Sequence, residues 1–249
     1  MSYASPSRIY PRQHGFSLIE ILVVVAIIAL LSALLFPAAK EQLRKSRQAT
    51  LVSNMKTIAG GVMLFATDND GRLPAAHQPA GSWQKVVMNY IGEDGVINSP
   101  ERYKKSAFHD PLDTVPLPYK ETSRASLNIA LNGMVSVNDL SSPPLPAGAA
   151  YRLLTSISQP SRLLLMTTGE RNVDAYSGYT MRLNSNAFRG NADVTKLTRI
   201  PGYHMCCFVD GHVELVPIAE ILKEVDKDRT SISTSVFFDA RANNGQGLN

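Results

Sequence analysis

The sequence predicts an α+β protein in which a long amino-terminal helix packs on a carboxy-terminal antiparallel sheet. Three observations predict it. An apolar run fills residues 16–39; apolar residues then recur at helical spacing to residue 65; and short apolar or alternating runs, bounded by Asn-Gly, Asp-Gly and proline clusters, occupy the second half of the 249 residues.

Residues 1–15 are polar, carry Arg8 and Arg12, contain no acid and end in Gly15, the layout of a targeting leader. From Phe16 to Ala39 the only polar side chains are Ser17, Glu20 and Ser32. As a helix that run is roughly 36 Å long, enough to cross a bilayer, and it has no polar stripe of the kind a soluble core helix keeps. Ordinary secretory cleavage fits poorly, because cutting after Ala38 or Ala39 leaves Phe36 or Pro37 three places from the bond, where a small residue is needed. Glu20 lies only about 6 Å along the helix from Phe16, so a carboxylate that snorkels to the nearby headgroups is one reading of it.

Gly15-Phe16-Ser17-Leu18-Ile19-Glu20 followed by an apolar helix resembles the processing signal of type IV prepilins and type II secretion pseudopilins. The resemblance implies cleavage between Gly15 and Phe16 by a prepilin peptidase, N-methylation of Phe16, and pairing of Glu20 with the new amino terminus of a neighbouring copy during assembly. It also implies a pilin-like fold divided into a cleaved leader (1–15), the transmembrane half of the helix (16–39), its amphipathic half (40–66), a globular sheet head (67–238) and a flexible tail (239–249). The implied setting is the bacterial inner membrane, crossed once, with the amino terminus cytoplasmic and the head periplasmic or extracellular. The implied partners are the peptidase, other copies, minor pseudopilins or pilins, an inner-membrane assembly platform and membrane lipid.

The positive-inside count does not choose an orientation, since Arg8 and Arg12 before the run are matched by Lys40, Arg44, Lys45 and Arg47 after it. That basic flank reads as touching lipid phosphates, as touching acidic surfaces of adjacent copies, or as a solvated helix face. Pro37 removes a backbone hydrogen bond and should loosen or kink the helix. Leu51, Met55, Ile58, Val62 and Phe65 then mark one helical face that needs a cover, and Gly60-Gly61 interrupts it with a site for close packing or a bend.

The helix should stop near Ala66, because Asp68 to Pro74 is dense in turn formers. Asp68 and Asp70 are weak calcium candidates; an EF-hand register ending at Gly71 would put Ala66 and His77 at ligand positions, which excludes that loop. No other cofactor is expected. Ser82 should cap a short helix that anchors Trp83 in the core and stops at Gly92, and residues 93–125, with four prolines, read as an irregular excursion suited to surface recognition.

Two hairpins follow: residues 126–131 and 134–138 about Asn132-Gly133, and residues 204–209 with 212–216 about Asp210-Gly211. Residues 162–168 form a continuous apolar strand between them. A two-residue turn at Asp210-Gly211 would pair Phe208 with Val213 and Cys206 with Leu215 on a core face, and send His204 and His212 to opposite sides, away from any shared zinc. The adjacent Cys206 and Cys207 would face opposite ways as free thiols, one of them buried, since a bridge between neighbouring Cα atoms about 3.8 Å apart is strained. Residues 217–225 read as a helix with Ile218, Ile221, Leu222 and Val225 on one face, and residues 231–238 as a last strand. Residues 208–214 resemble the closing hairpin of a prepilin subfamily named for a histidine nine residues before Asp-Gly, related to the major pseudopilin; here that position is Ile200 and the nearest histidine is His204.

The formal charge of +4 falls to about +2 without the two leader arginines, which gives no case for nucleic-acid binding. Nor is there a G-x-S-x-G, a phosphate-binding G-x-x-x-x-G-K-[ST], an H-E-x-x-H or a paired-cysteine zinc pattern. The expectation is a structural filament subunit, not an enzyme. The alternative is a membrane-tethered binding module that uses the same export route without polymerising.

Overall fold

The computed structural model describes residues 17–75, 77–78, 81–94, 100–113, 129–132, 153–168, 182–183 and 199–227. The chain divides into two compact units, Met1–Ser46 and Arg47–Asn249. Helix α1, Leu18–Asp68, enters both, and Pro37 lies inside it without ending it.

In the first unit α1 exposes its apolar side chains on every side, among them Leu18 at 82% and Phe36 at 67%. In the second unit the helical stripe is buried as its spacing predicts: Leu51, Met55, Ile58 and Val62 are fully covered and Phe65 nearly so. The helix ends three residues before Gly71, with Asp70 in the left-handed region at φ 55° and the Gly71 N–H donating to the Ala66 carbonyl at 2.7 Å.

A small antiparallel pair, β1 (His77–Gln78) and β2 (Gly81–Ser82), leads into α2 (Trp83–Tyr90). Trp83, Val86, Val87 and Met88 of α2 are buried. Gly61 lets this helix close on α1: a Cβ there would lie 2.6 Å from Ile91 Cγ2 and 2.9 Å from Val87 Cγ1, whereas a Cβ on Gly60 would meet nothing within 4 Å. Of the two glycines, one is a packing contact and the other is not.

Residues 100–113 are more ordered and more buried than the irregular excursion their prolines suggested. They open with α3 (Pro100–Lys105) and bury Tyr103, Phe108 and Asp110. Phe108 packs edge-on against Trp83 with ring centroids 5.4 Å apart, and the Asn54 side-chain amide donates to the His109 carbonyl at 2.9 Å. Proline spacing conceals this because the segment is held by tertiary contacts, not by its own periodicity.

The main sheet runs β5-β3-β4-β6-β7, with β3 at Ile129–Asn132, β4 at Leu164–Thr168, β5 at Arg182–Leu183, β6 at Tyr203–Phe208 and β7 at Val213–Pro217. The pairs β3/β4, β4/β6 and β6/β7 are antiparallel, as expected; β5 lies parallel to β3. Being parallel to β3, β5 runs antiparallel to β4, the strand that precedes it in the chain. Helix α4, Ile218–Lys227, follows β7 and buries Ile221. The partner strand expected at 134–138 and the strand expected at 231–238 lie outside the described residues.

The β6/β7 register differs from the expected one by a residue. Cys207 pairs with Val213, Cys206 with Glu214, Met205 with Leu215 and His204 with Val216. The turn explains it: Gly211 N–H donates to the Phe208 carbonyl at 2.9 Å, Phe208 N–H donates to the His212 carbonyl at 3.0 Å, and Gly211 sits at φ 86°. That is a three-residue loop, Val209-Asp210-Gly211, with glycine as its left-handed third member instead of the second member of a two-residue turn. A one-residue slip exchanges faces. Met205, Cys207 and Val209 join the core with α1, while Cys206 and Phe208 are buried on the opposite face of β6; Leu215, paired with Met205, is nonetheless 40% exposed.

Candidate functional site: the amino-terminal helix

The backbone N–H of Ser17 donates to Glu20 Oε2 at 2.8 Å, while the Ser17 carbonyl accepts from the N–H groups of Glu20 and Ile21. Ser17 is thus the residue at which the helix starts, and the Glu20 side chain folds back over the first turn to satisfy an amide with no intrahelical acceptor. The S-x-x-E spacing of Ser17 and Glu20 is the sequence signal for this cap. A carboxylate in the first turn also suits the positive end of the helix dipole. Glu20 Oε1 forms no hydrogen bond among the described residues. Gly15 and Phe16, the expected processing pair, lie outside them.

From this capped turn, α1 is long and apolar enough to cross a membrane, and no residue of its most apolar 18-residue window is buried. The polar change comes at Lys40. Arg44 reaches back to Glu41 with both arms of its guanidinium, Nη2 to Oε1 at 2.8 Å and Nε to Oε2 at 3.0 Å. That contact holds the Glu41 carboxyl below its ordinary range and the pair ionised.

The calcium candidates Asp68 and Asp70 lie at the far end of α1. The Asn69 side chain donates to the Phe65 carbonyl at 2.8 Å, and Asp70 is the left-handed helix stop. Among the described residues no three His, Cys, Asp or Glu side chains are grouped as a metal site would need.

The head holds a buried polar cluster that the sequence did not announce. Asp110 is fully buried, accepts from the Leu112 N–H at 2.9 Å and from Arg199 Nε at 3.4 Å, and lies beside Asp113, whose carboxylate is 3.8 Å from Arg199 Nη2. Burial pushes the Asp110 carboxyl up, against the Leu112 amide and Arg199, which hold it down. His204 is buried on the same side of the head and pushed down to about 4, by burial first and by the Arg199 charge second. The observed register puts His204 and His212 on one face of the ribbon, correcting the expectation of opposite sides. They are still separated by four residues of strand, about 13 Å, and His212 is engaged with Phe208, stacked at 4.3 Å, and with Asp210. Cys206 and Cys207 are both free and both buried, not one of the two; burial pushes both thiols up, Cys207 to about 12. A groove of about 340 Å³ between β6, β7 and α4 is lined by Arg162, Phe208, Glu214, Val216 and Lys223, with neither histidine nor cysteine in its wall.

Residues 10–36 match the model of the prokaryotic N-terminal methylation motif. The chain is 33% identical over 90 residues to the type II secretion system core protein G of Klebsiella pneumoniae, an alignment covering 36% of this chain and 61% of the relative. No solved structure matches. The amino-terminal motif is therefore that of prepilins, and the similarity to a secretion pseudopilin agrees with an α+β chain whose apolar helix precedes an antiparallel sheet.

Proposed function

We propose that this protein is a structural subunit of a type II secretion pseudopilus or a related type IV pilus-like filament. Prepilin peptidase cleaves it between Gly15 and Phe16 and methylates Phe16, and the subunit is held in the bacterial inner membrane with its amino terminus cytoplasmic and its head outside until the assembly platform adds it to other copies and minor pseudopilins. The observation that carries the reading is the joining of one motif to one helix: the methylation motif at 10–36 opens a single α-helix, Leu18–Asp68, that is apolar and uncovered in its first half and supplies the core stripe of the head in its second. A secretory signal has no use for the second half, and a soluble core helix would not leave the first half bare.

Glu20 has two duties in this reading. One carboxylate oxygen closes its own helix start on Ser17, which leaves the other for the cationic amine of Phe16 on a neighbouring copy. In a low-dielectric surrounding that attraction is strong but largely offset by desolvation, so its contribution is register more than stability.

Glutamine separates the duties. Glu20→Gln keeps an oxygen for the Ser17 amide, as Gln does in a capping box, but removes the charge; Glu20→Ala removes both. Cross-linking of membrane-held copies should collapse to monomer in both variants, with cleavage and membrane insertion unchanged. Full cross-linking ladders in Glu20→Gln would reduce Glu20 to a helix cap. For the filament class, deletion followed by parallel assays of exoprotein secretion, surface filaments and DNA uptake decides: loss of secretion alone supports the pseudopilus, and an intact set refutes the filament reading in favour of a tethered binding module.

A further inference from the structure

The exposed apolar part of α1 from Leu18 to Ala39 is about 33 Å long at 1.5 Å per residue, against a hydrocarbon core of about 30 Å. A span starting at Leu18 is used up about two residues before Lys40. There the helix surface changes in one step: Lys40, Glu41, Arg44 and Lys45 are all exposed, three cations and one carboxylate in six residues. The carboxylate is already occupied, because the Arg44 fork takes both its oxygens. Lys40 and Lys45 form no salt bridge among the described residues.

Lys40 to Lys45 rises about 7.5 Å along the axis, close to the depth of one headgroup layer. At 100° per residue, Lys40 and Arg44 lie about 40° apart and Lys45 about 140° from Lys40, so the cations form a partial collar around the helix, not a single stripe. A merely solvated face carries no requirement on where it starts. This one starts where the apolar length runs out, and its flexible lysine stems can reach up or down to phosphate oxygens.

We infer that Lys40, Arg44 and Lys45 form a docking collar for anionic lipid headgroups in the leaflet at the far end of the span, and that this contact sets the depth at which the helix rests. The inference depends on Leu18–Ala39 being a membrane span. Continuity with that span selects lipid as the occupant: headgroups surround residues 40–45 at that depth whether or not another copy is present. The excess of two positive charges over the single carboxylate selects an anionic lipid such as phosphatidylglycerol over a zwitterionic one. A basic residue at a charged membrane surface contributes about 1 kcal/mol, a factor of about five in lipid preference, and the effect decays within a Debye length of about 8–10 Å.

The full chain is reconstituted in mixed phosphatidylcholine and phosphatidylglycerol vesicles, checked for flotation with the lipid, extracted in detergent, and the retained lipids are counted by native mass spectrometry. The wild type should retain phosphatidylglycerol in preference to phosphatidylcholine. Lys45→Gln should lower that preference by about fivefold, and Lys40→Gln/Arg44→Gln/Lys45→Gln should bring it to parity while flotation stays complete. An unchanged preference in Lys45→Gln and in the triple variant overturns the collar. So does loss of copy-to-copy cross-links in the triple variant with lipid preference unchanged, which assigns the cations to an acidic protein surface. If the wild type fails to float with the vesicles, the span reading falls and the collar with it; the two failures are told apart by flotation alone.

Discussion

Gly60 and Gly61 are adjacent in sequence and share one helix, yet the structure assigns them opposite responses to the same substitution. Alanine in place of glycine in a helix interior gains about 1 kcal/mol of propensity. At Gly60 nothing lies within 4 Å of the new methyl, so Gly60→Ala should keep most of that gain, about 0.5–1 kcal/mol. At Gly61 the methyl would sit 2.6 Å from Ile91 Cγ2, 2.9 Å from Val87 Cγ1 and 3.4 Å from the Val87 carbonyl oxygen. The first two distances are inside contact range, and both partners are held: Val87 is fully buried, and Ile91 closes α2 with its N–H on the Val87 carbonyl. Overpacking of this kind costs about 1–3 kcal/mol, which outweighs the propensity gain and leaves Gly61→Ala about 1 kcal/mol less stable than wild type. The two variants should therefore differ by about 2 kcal/mol with opposite signs. Trp83, the single tryptophan of the chain, is buried in α2 against Phe108 and reports unfolding of the head by fluorescence in urea. Adding Val87→Ala to Gly61→Ala should recover part of the loss, because it removes one of the two clashing methyls, although that truncation has its own cavity cost. Equal shifts in the two single variants, in either direction, would refute the close approach of α2 to α1 at Gly61.

Further outcomes are expected elsewhere in the chain. Intact mass of the mature protein should begin at an N-methylated Phe16, and Gly15→Leu should leave the leader attached; an uncut Met1 chain beside an active prepilin peptidase refutes the processing reading. His204 is pushed down to about 4 from an ordinary value near 6.5, so its stabilising neutrality is fully present above pH 6.5 and is lost as pH falls toward 4, about 3 kcal/mol over that window. His204→Gln should flatten this acid limb in urea midpoints measured from pH 7 to 4, and an unchanged limb rejects the assignment. Asp110 cannot mimic it, because a carboxyl pushed up by burial has its penalty absent at low pH and appearing as pH rises past the ordinary carboxyl value. Arg199→Met should cost about 3 kcal/mol, since it leaves the fully buried Asp110 without its cation, and Asp110→Asn should restore part of that loss in the double variant.

Two kinds of information separate in this protein. The membrane-length run, the motif at Gly15 to Glu20, the stripe Leu51, Met55, Ile58, Val62 and Phe65, the strand at 164–168 and the hairpin at 203–217 are legible because each is a pattern of neighbours: one apolar period, one turn dipeptide, one methylation motif. Such patterns are local, and local propensity and the order of the chain suffice to read them. The S-x-x-E cap at Ser17 belonged to the same class and was there to be read.

Tertiary contact alone decided the rest. Whether Gly211 ends a two-residue or a three-residue turn depends on Val209 being drawn into the core, where its N–H donates to the Leu163 carbonyl, and that single residue of register decided which β7 residue stands opposite each of Cys206 and Cys207. The order in 100–113 comes from Trp83, Asn54 and Arg199, which are 25, 55 and 89 positions from their partners Phe108, His109 and Asp110. Gly60 and Gly61 read alike until α2 is placed beside one of them. Chain order records how residues follow one another; burial and close approach are properties of residues that meet across long separations, and no periodicity along the chain encodes them.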